Sequence, residues 1–71
     1  MDRAIIEALL AKTKTRIAEA NHDVARQRRL IAAMAKDSKD LQKAKLLLEL
    51  LEDILEMHVA ARDRLLHALT N

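Results

Sequence analysis

The side chains of this sequence that could carry out chemistry are its three histidines and the acidic residues near them. His22 is followed by Asp23 and preceded, three positions earlier, by Glu19. An exposed imidazole beside a carboxylate can accept a phosphoryl group, and a Glu-x-x-His pair places two metal ligands on one side of a helix. The other histidines, His58 and His67, lie on opposite faces of a helix and cannot bind one ion together. Which chemistry is available depends on where the helices place these residues.

A second group of candidates is a basic cluster made of Arg26, Arg28 and Arg29. Arginine binds phosphates, and affinity for nucleic acid grows with the number of phosphates neutralised. The net charge of +2 and the pI of 9.3 are compatible with such a partner. The sequence has no aromatic residue on which a base could stack, however. We therefore expect a solvated, internally paired charge cluster here, with a nucleic-acid patch as the alternative.

The residue types that are absent exclude several kinds of site. Without cysteine there is no disulfide and no thiolate metal site. Without glycine there is no phosphate-binding loop and no nucleophile elbow. Leucine and alanine dominate the apolar half, both are strong helix formers, and no stretch is apolar enough to span a membrane. We therefore expect an all-α, cytoplasmic protein that is not an enzyme and has no cofactor.

Two sets of residues with heptad spacing predict two long helices, because this is the pattern of a coiled-coil seam. The first seam comprises Ile6, Leu10, Thr13, Ile17, Ala20, Val24, Gln27, Ile31 and Met34. The second seam comprises Leu41, Ala44, Leu48, Leu51, Leu55, His58, Arg62, Leu65 and Leu69. Alanines also recur at every seventh position from Ala4 to Ala32, which suggests a closely approaching neighbour helix; the alternative is that alanine is simply common in this chain.

The two seams are out of register with each other, and the break falls at the sequence KDSKD, residues 36–40. Asp37 or Ser38 could cap a new helix there. We therefore predict a single domain over residues 1–71, an antiparallel two-helix hairpin. Its helices should span about 2–36 and about 39–70, with the turn at about 37–39. One continuous helix is the alternative, since the turn has no Gly or Pro.

Charge also favours a chain that folds back on itself, since residues 1–36 carry a net charge of +4 and residues 37–71 carry −2. A turn near residue 38 places the arginine cluster opposite Glu49, Glu52, Asp53 and Glu56. Such surface pairs add little stability but favour one helix pairing over another.

Apolar residues outside the seams predict self-association. Leu46, Leu50 and Met57 lie roughly 100–140° around the second helix from its seam, while Leu9 and Leu30 flank the seam of the first. A helix that is apolar on more than one side needs more than one neighbour. We therefore expect a dimer of hairpins that forms a four-helix bundle, with these residues in the interface. A monomer with a few exposed leucines is the alternative.

His58 and Arg62 interrupt the second seam with polar side chains one turn apart. A polar layer in an apolar seam fixes the register of the helices at a cost in stability. We therefore predict a structural role for both residues, with Glu7 or Glu19 of the first helix as candidate partners.

Two stretches of the chain resemble a group of short, uncharacterised bacterial proteins of about this length. Residues Ala25–Arg28 read ARQR, and residues His58–Leu66 follow the pattern HxAxRDRLL, with a polar turn and a leucine-rich segment between them. The similarity covers nearly the whole chain. It implies a natural helical-hairpin protein and no particular activity, because the group has no activity assigned to it.

Two further resemblances concern architecture. His22 and the segment Leu47–Met57 resemble the dimerisation domains of sensor histidine kinases, which implies His22 as a phosphoacceptor; those domains have a proline where this chain has Gln27. A small dimeric hairpin with a basic cluster also resembles RNA-binding bundles of the Rop type. Relative to Ile17, both Glu19 and His22 point away from the seam, so we expect a solvated surface here and no metal site.

From these patterns we expect a self-associating interaction module without catalytic, cofactor-binding or metal-binding residues. Its expected partners are a second copy of the chain and an unidentified protein, with no membrane. The alternatives are a small dimeric nucleic-acid-binding regulator with Rop-like architecture and a histidine-phosphotransfer bundle.

Overall fold

The computed structural model describes residues 2–70, which form two helices and no strand. Helix α1 spans Arg3–Ala33 and helix α2 spans Leu41–Thr70. The molecule is a rod of 53 × 14 × 13 Å, only slightly longer than one of its helices at about 1.5 Å per residue. The helices therefore lie side by side and antiparallel. The predicted all-α hairpin is confirmed, and the single continuous helix is not formed.

Local hydrogen bonds explain where α1 begins and ends. The carboxylate of Asp2 caps its start by accepting the backbone N–H of Ala4 at 3.0 Å. The helix ends at Ala33 because Met34 is extended, with φ −79° and ψ 146°. This end lies three residues before the predicted boundary at about residue 36. Beyond Ala35 a longer helix would continue into residues 36–40, which have no apolar side chain to bury, whereas Met34 turns the chain back while staying half-buried.

The connection between the helices spans residues 34–40 and is longer than the predicted turn at about 37–39. It contains two successive tight turns: the N–H of Ser38 donates to the Ala35 carbonyl at 3.0 Å, and the N–H of Leu41 donates to the Ser38 carbonyl at 3.2 Å. The Ser38 hydroxyl also accepts the N–H of Asp40 at 3.2 Å, so Ser38 caps the turn that leads into α2. No residue of the described range has a positive φ, so this connection does not need glycine.

The facing sides of the helices are the two predicted seams. The buried residues of α1 are Ile6, Leu10, Thr13, Ala20, Val24 and Gln27. All nine predicted seam residues of α2, from Leu41 to Leu69, are half-buried. No large side chain in residues 2–70 is fully buried, because two helices alone cannot surround one. The hairpin therefore has a seam but no enclosed core.

Two buried polar residues of the α1 seam satisfy their hydrogen bonds in different ways. The Thr13 hydroxyl donates to the Leu9 carbonyl of its own helix at 2.8 Å. The Gln27 side-chain amide crosses the seam and donates to the Ala44 carbonyl at 3.0 Å. The second bond ties the end of α1 to the start of α2. Gln27 therefore helps to set the axial register of the helices.

The heptad alanines of α1 lie outside the seam. All five of them, Ala4, Ala11, Ala18, Ala25 and Ala32, are exposed. Four of the five directly follow a seam residue, so each is rotated roughly 100° around the helix from that residue. These alanines therefore do not line the contact between α1 and α2.

Candidate interaction surface

The hairpin has two long flanks, one on each side of the seam, and one ion pair identifies them. Arg28 and Glu52 each directly follow a seam residue, and Arg28 Nη2 lies 2.8 Å from Glu52 Oε2. We call this side the polar flank. The seam residues of each helix alternate between two heptad positions, and Arg28 and Glu52 both follow the same one of the two. In an antiparallel helix pair, residues that directly precede the second of these positions meet on the opposite side of the hairpin. Leu30, Leu47 and Ile54 have that position, and we call their side the apolar flank.

A row of exposed apolar side chains runs along α2 on the apolar flank. We call it the α2 stripe; its members are Leu46, Leu47, Leu50, Ile54 and Met57. Between 43% and 59% of each of these residues is exposed. Four of them, from Leu47 to Met57, have intervals of three, four and three residues, which is a second heptad pattern on the same helix. α2 is therefore apolar on two sides, and α1 covers only one of them.

The structure brings together most of the residues predicted for the dimer interface. Leu46, Leu50 and Met57 belong to the α2 stripe, and Leu30 lies on the same flank near the start of α2. Leu9 is also exposed, but it lies about 31 Å from Leu30 along α1 and is not part of this surface.

Leu47 and Ile54 were missing from the predicted interface. The signal that could have found them is the regular spacing from Leu47 to Met57, which is visible once the seam residues are set aside. By contrast, Leu66 is a single leucine on the polar flank, with 39% of its surface exposed. One isolated leucine of this kind is normal on a protein surface.

The three arginines of the basic cluster have three different environments. Arg28 bonds across the helices to Glu52, one of its predicted partners. Arg26 lies 3.6 Å from Asp23 on its own helix, instead of pairing with α2 as predicted. Arg29 forms no ion pair with any described residue. The other predicted partners also form no ion pair within residues 2–70: Glu49, Asp53 and Glu56.

Charge is unevenly distributed along the rod. The turn end, residues 26–45, carries seven lysines and arginines and two aspartates, a net charge of +5. The middle, residues 15–25 and 46–57, carries one arginine and six acidic residues, a net charge of −5. The open end, residues 1–14 and 58–71, carries +2. The overall charge of +2 therefore conceals a strongly basic turn end.

The residues that suggested phosphotransfer or metal chemistry are on the exterior. His22 and Glu19 are both exposed. Within residues 2–70, no three His, Asp or Glu side chains come together in a group that could hold a metal ion, and no cavity is present. Neither helix is long and apolar enough to cross a membrane.

His58 and Arg62 are half-buried at the seam of α2, at the predicted positions. The Arg62 guanidinium donates to Asp63 Oδ1 through Nε at 3.2 Å and Nη2 at 3.1 Å. Glu7, one of the candidate partners on α1, pairs instead with Arg3 of its own helix at 2.9 Å. Neither His58 nor Arg62 has a hydrogen bond to α1 in the described part of the chain.

No family model, no curated protein and no solved structure matches this chain. The resemblance to short bacterial proteins therefore stays a prediction.

Proposed function

We propose that this protein is a non-enzymatic, self-associating interaction module in which a second copy of the chain covers the α2 stripe. The observation that carries the proposal is the stripe itself, five large apolar side chains on one side of a helix that is already packed on another. A helix with two apolar sides is stable in water when both sides have neighbours. A dimer of hairpins, which is a four-helix bundle, supplies the second neighbour.

The exposed area supports the same conclusion. The hairpin exposes 5524 Å². A compact monomer of this mass exposes about 4,500 Å², so the rod has an excess of about 1,000 Å². A protein–protein interface of ordinary size buries about 800 Å² on each partner. One such interface therefore removes most of the excess.

The placement of the polar side chains supports an interaction role over catalysis. Catalysis needs a concave site that holds substrate against several converging groups. Here the seam is filled by side chains of the two helices, while His22 and the arginine cluster lie on the convex exterior. The proposal also places the protein in the cytoplasm, in keeping with a chain that has no cysteine for disulfides.

Self-association is tested by thermal unfolding over a wide range of protein concentration, together with sedimentation equilibrium. If folding is linked to dimerisation, Tm rises with concentration. With an unfolding enthalpy typical for two chains of this length, Tm should increase by about 5 °C for each tenfold rise in protein concentration. A single mass of 8.1 kDa with a constant Tm would overturn the proposal.

The basic turn end favours a second candidate function, a small nucleic-acid-binding regulator. Arg29, unpaired among the described residues, belongs to that end. A mobility shift with duplex DNA and RNA in increasing salt tests it. If Arg29 contacts a phosphate of duplex DNA, Arg29→Gln lowers the affinity and flattens the salt slope by about 0.9. Arg16→Gln, a change in the acidic middle of the rod, is the matched control. No binding at physiological salt would exclude this candidate.

A further inference from the structure

We propose that the second copy binds with its α2 antiparallel to the first α2, around a twofold axis level with Glu52. This inference rests on the proposed self-association and adds to it the orientation and register of the two chains. It follows from the spacing of the α2 stripe, from the charges beside the stripe, and from the charge distribution along the rod.

The spacing of the α2 stripe is self-complementary. The intervals of three, four and three residues from Leu47 to Met57 are the same in both chain directions. In an antiparallel pair, Leu47 then meets Met57 of the second copy, and Leu50 meets Ile54 of the second copy. The symmetry repeats both contacts, which gives four layers made only of large apolar residues. The axis of this arrangement passes at the level of residue 52, midway between Leu50 and Ile54.

The charged residues of α2 leave the stripe free for an apolar neighbour. Glu52 is on the polar flank, where it bonds to Arg28. Glu49 and Glu56 are on the outer face of α2, roughly 130° around the helix from the four stripe residues between Leu47 and Met57. Asp53 alone among the acidic residues of α2 borders these four, and it lies next to the proposed axis. A second stripe therefore fits this surface better than a basic partner does.

The charge along the rod favours the antiparallel orientation. A parallel pair would place two turn ends side by side, each with a net charge of +5. In the antiparallel pair, the α2 residues of one turn end (41–45) lie about 21–33 Å along the axis from those of the other, more than twice the Debye length of about 8 Å at physiological salt. The dimer therefore presents one basic end at each tip.

Spin labels on single cysteines measure this geometry directly, because the chain has no cysteine of its own. We choose three exposed positions on the full-length protein: Lys43→Cys, Asp53→Cys and Arg64→Cys. Two copies of label 53 face each other across the axis, with helix axes about 10 Å apart, and should give strong dipolar broadening. The axial separation is about 27 Å for label 43 and about 36 Å for label 64, both accessible to double electron–electron resonance.

Each alternative outcome is distinct. Short distances at all three positions would show a parallel pair and overturn the inference while leaving self-association intact. A long distance at label 53 in a dimer would show that another face pairs, which also overturns the inference. Monomeric mass of the unlabelled protein, with no dipolar signal from any label, would mean that the proposed function itself has failed. If label 53 alone disrupts the dimer, labels 43 and 64 still separate the two orientations.

Discussion

Truncation of one leucine in the α2 stripe should weaken the dimer, and the size of the effect should follow from how much of that leucine is exposed in the single hairpin. Leu50 is 52% exposed in the single hairpin, so about half of its surface remains to be covered by a second copy. Full burial of a leucine contributes about 1.5–3 kcal/mol, and half of that is about 1 kcal/mol. Because the proposed dimer is twofold symmetric, the substitution removes this contact in both chains. Leu50→Ala should therefore raise the Kd of the dimer by about 30-fold, equivalent to about 2 kcal/mol.

The assay is sedimentation equilibrium over a concentration range that brackets the Kd. Leu66→Ala is the matched control, since Leu66 is 39% exposed on the opposite, polar flank and should keep the Kd of the unchanged protein. Both variants keep a good helix former at the substituted position. Equal weakening by both variants would show that the stripe has no special role. An unchanged Kd for Leu50→Ala would refute the link between exposure in the hairpin and burial in the dimer.

Three further experiments test separate parts of the structure. A double-mutant cycle on Arg28→Gln and Glu52→Gln should give a coupling energy of about 0.2–1 kcal/mol that falls in high salt, because solvent reaches both side chains, which are 62% and 41% exposed. Urea unfolding measures this coupling energy, and a value of zero would mean that the pair contributes nothing to stability. Asp53→Asn should lower the Kd of the dimer several-fold at low salt, because it removes two like charges beside the twofold axis. A higher Kd, measured by the same sedimentation assay, would mean that Asp53 does not lie beside that axis. His58→Leu should raise the free energy of unfolding by about 1 kcal/mol, since the half-buried imidazole has no hydrogen bond to α1 in the described residues. A marked loss of stability in urea unfolding would instead reveal a polar network at the seam.

Much of the fold could be predicted from the sequence because each helix buries one continuous seam. The intervals of three and four residues identified every position of the first seam, from Ile6 to Met34, and every one of these residues is buried or half-buried. The same holds for α2. The change of register between the two halves indicated the fold-back. The end of α1 at Ala33 could not be predicted this way, since Met34 continues the heptad spacing although its backbone is already extended.

The candidate site was predicted only in part. Leu46, Leu50 and Met57 were recognised as apolar residues outside the seam, whereas Leu47 and Ile54 were not. The spacing within α2 indicates that these residues share one side of the helix, but it cannot show how much of each side chain α1 leaves exposed. That depends on how the two helices pack, which only the tertiary structure decides.

The sequence by itself determined that the chain is helical, where it folds back, and which side of each helix faces the other. These properties follow from residue spacing within one helix, which sets the angle of every side chain around that helix. The tertiary structure decided which residues of the two helices lie at the same level, because level depends on contacts between them. The Gln27 bond to the Ala44 carbonyl is of this second kind, and so is the choice of Glu52, among the acidic residues predicted opposite the cluster, as the partner of Arg28.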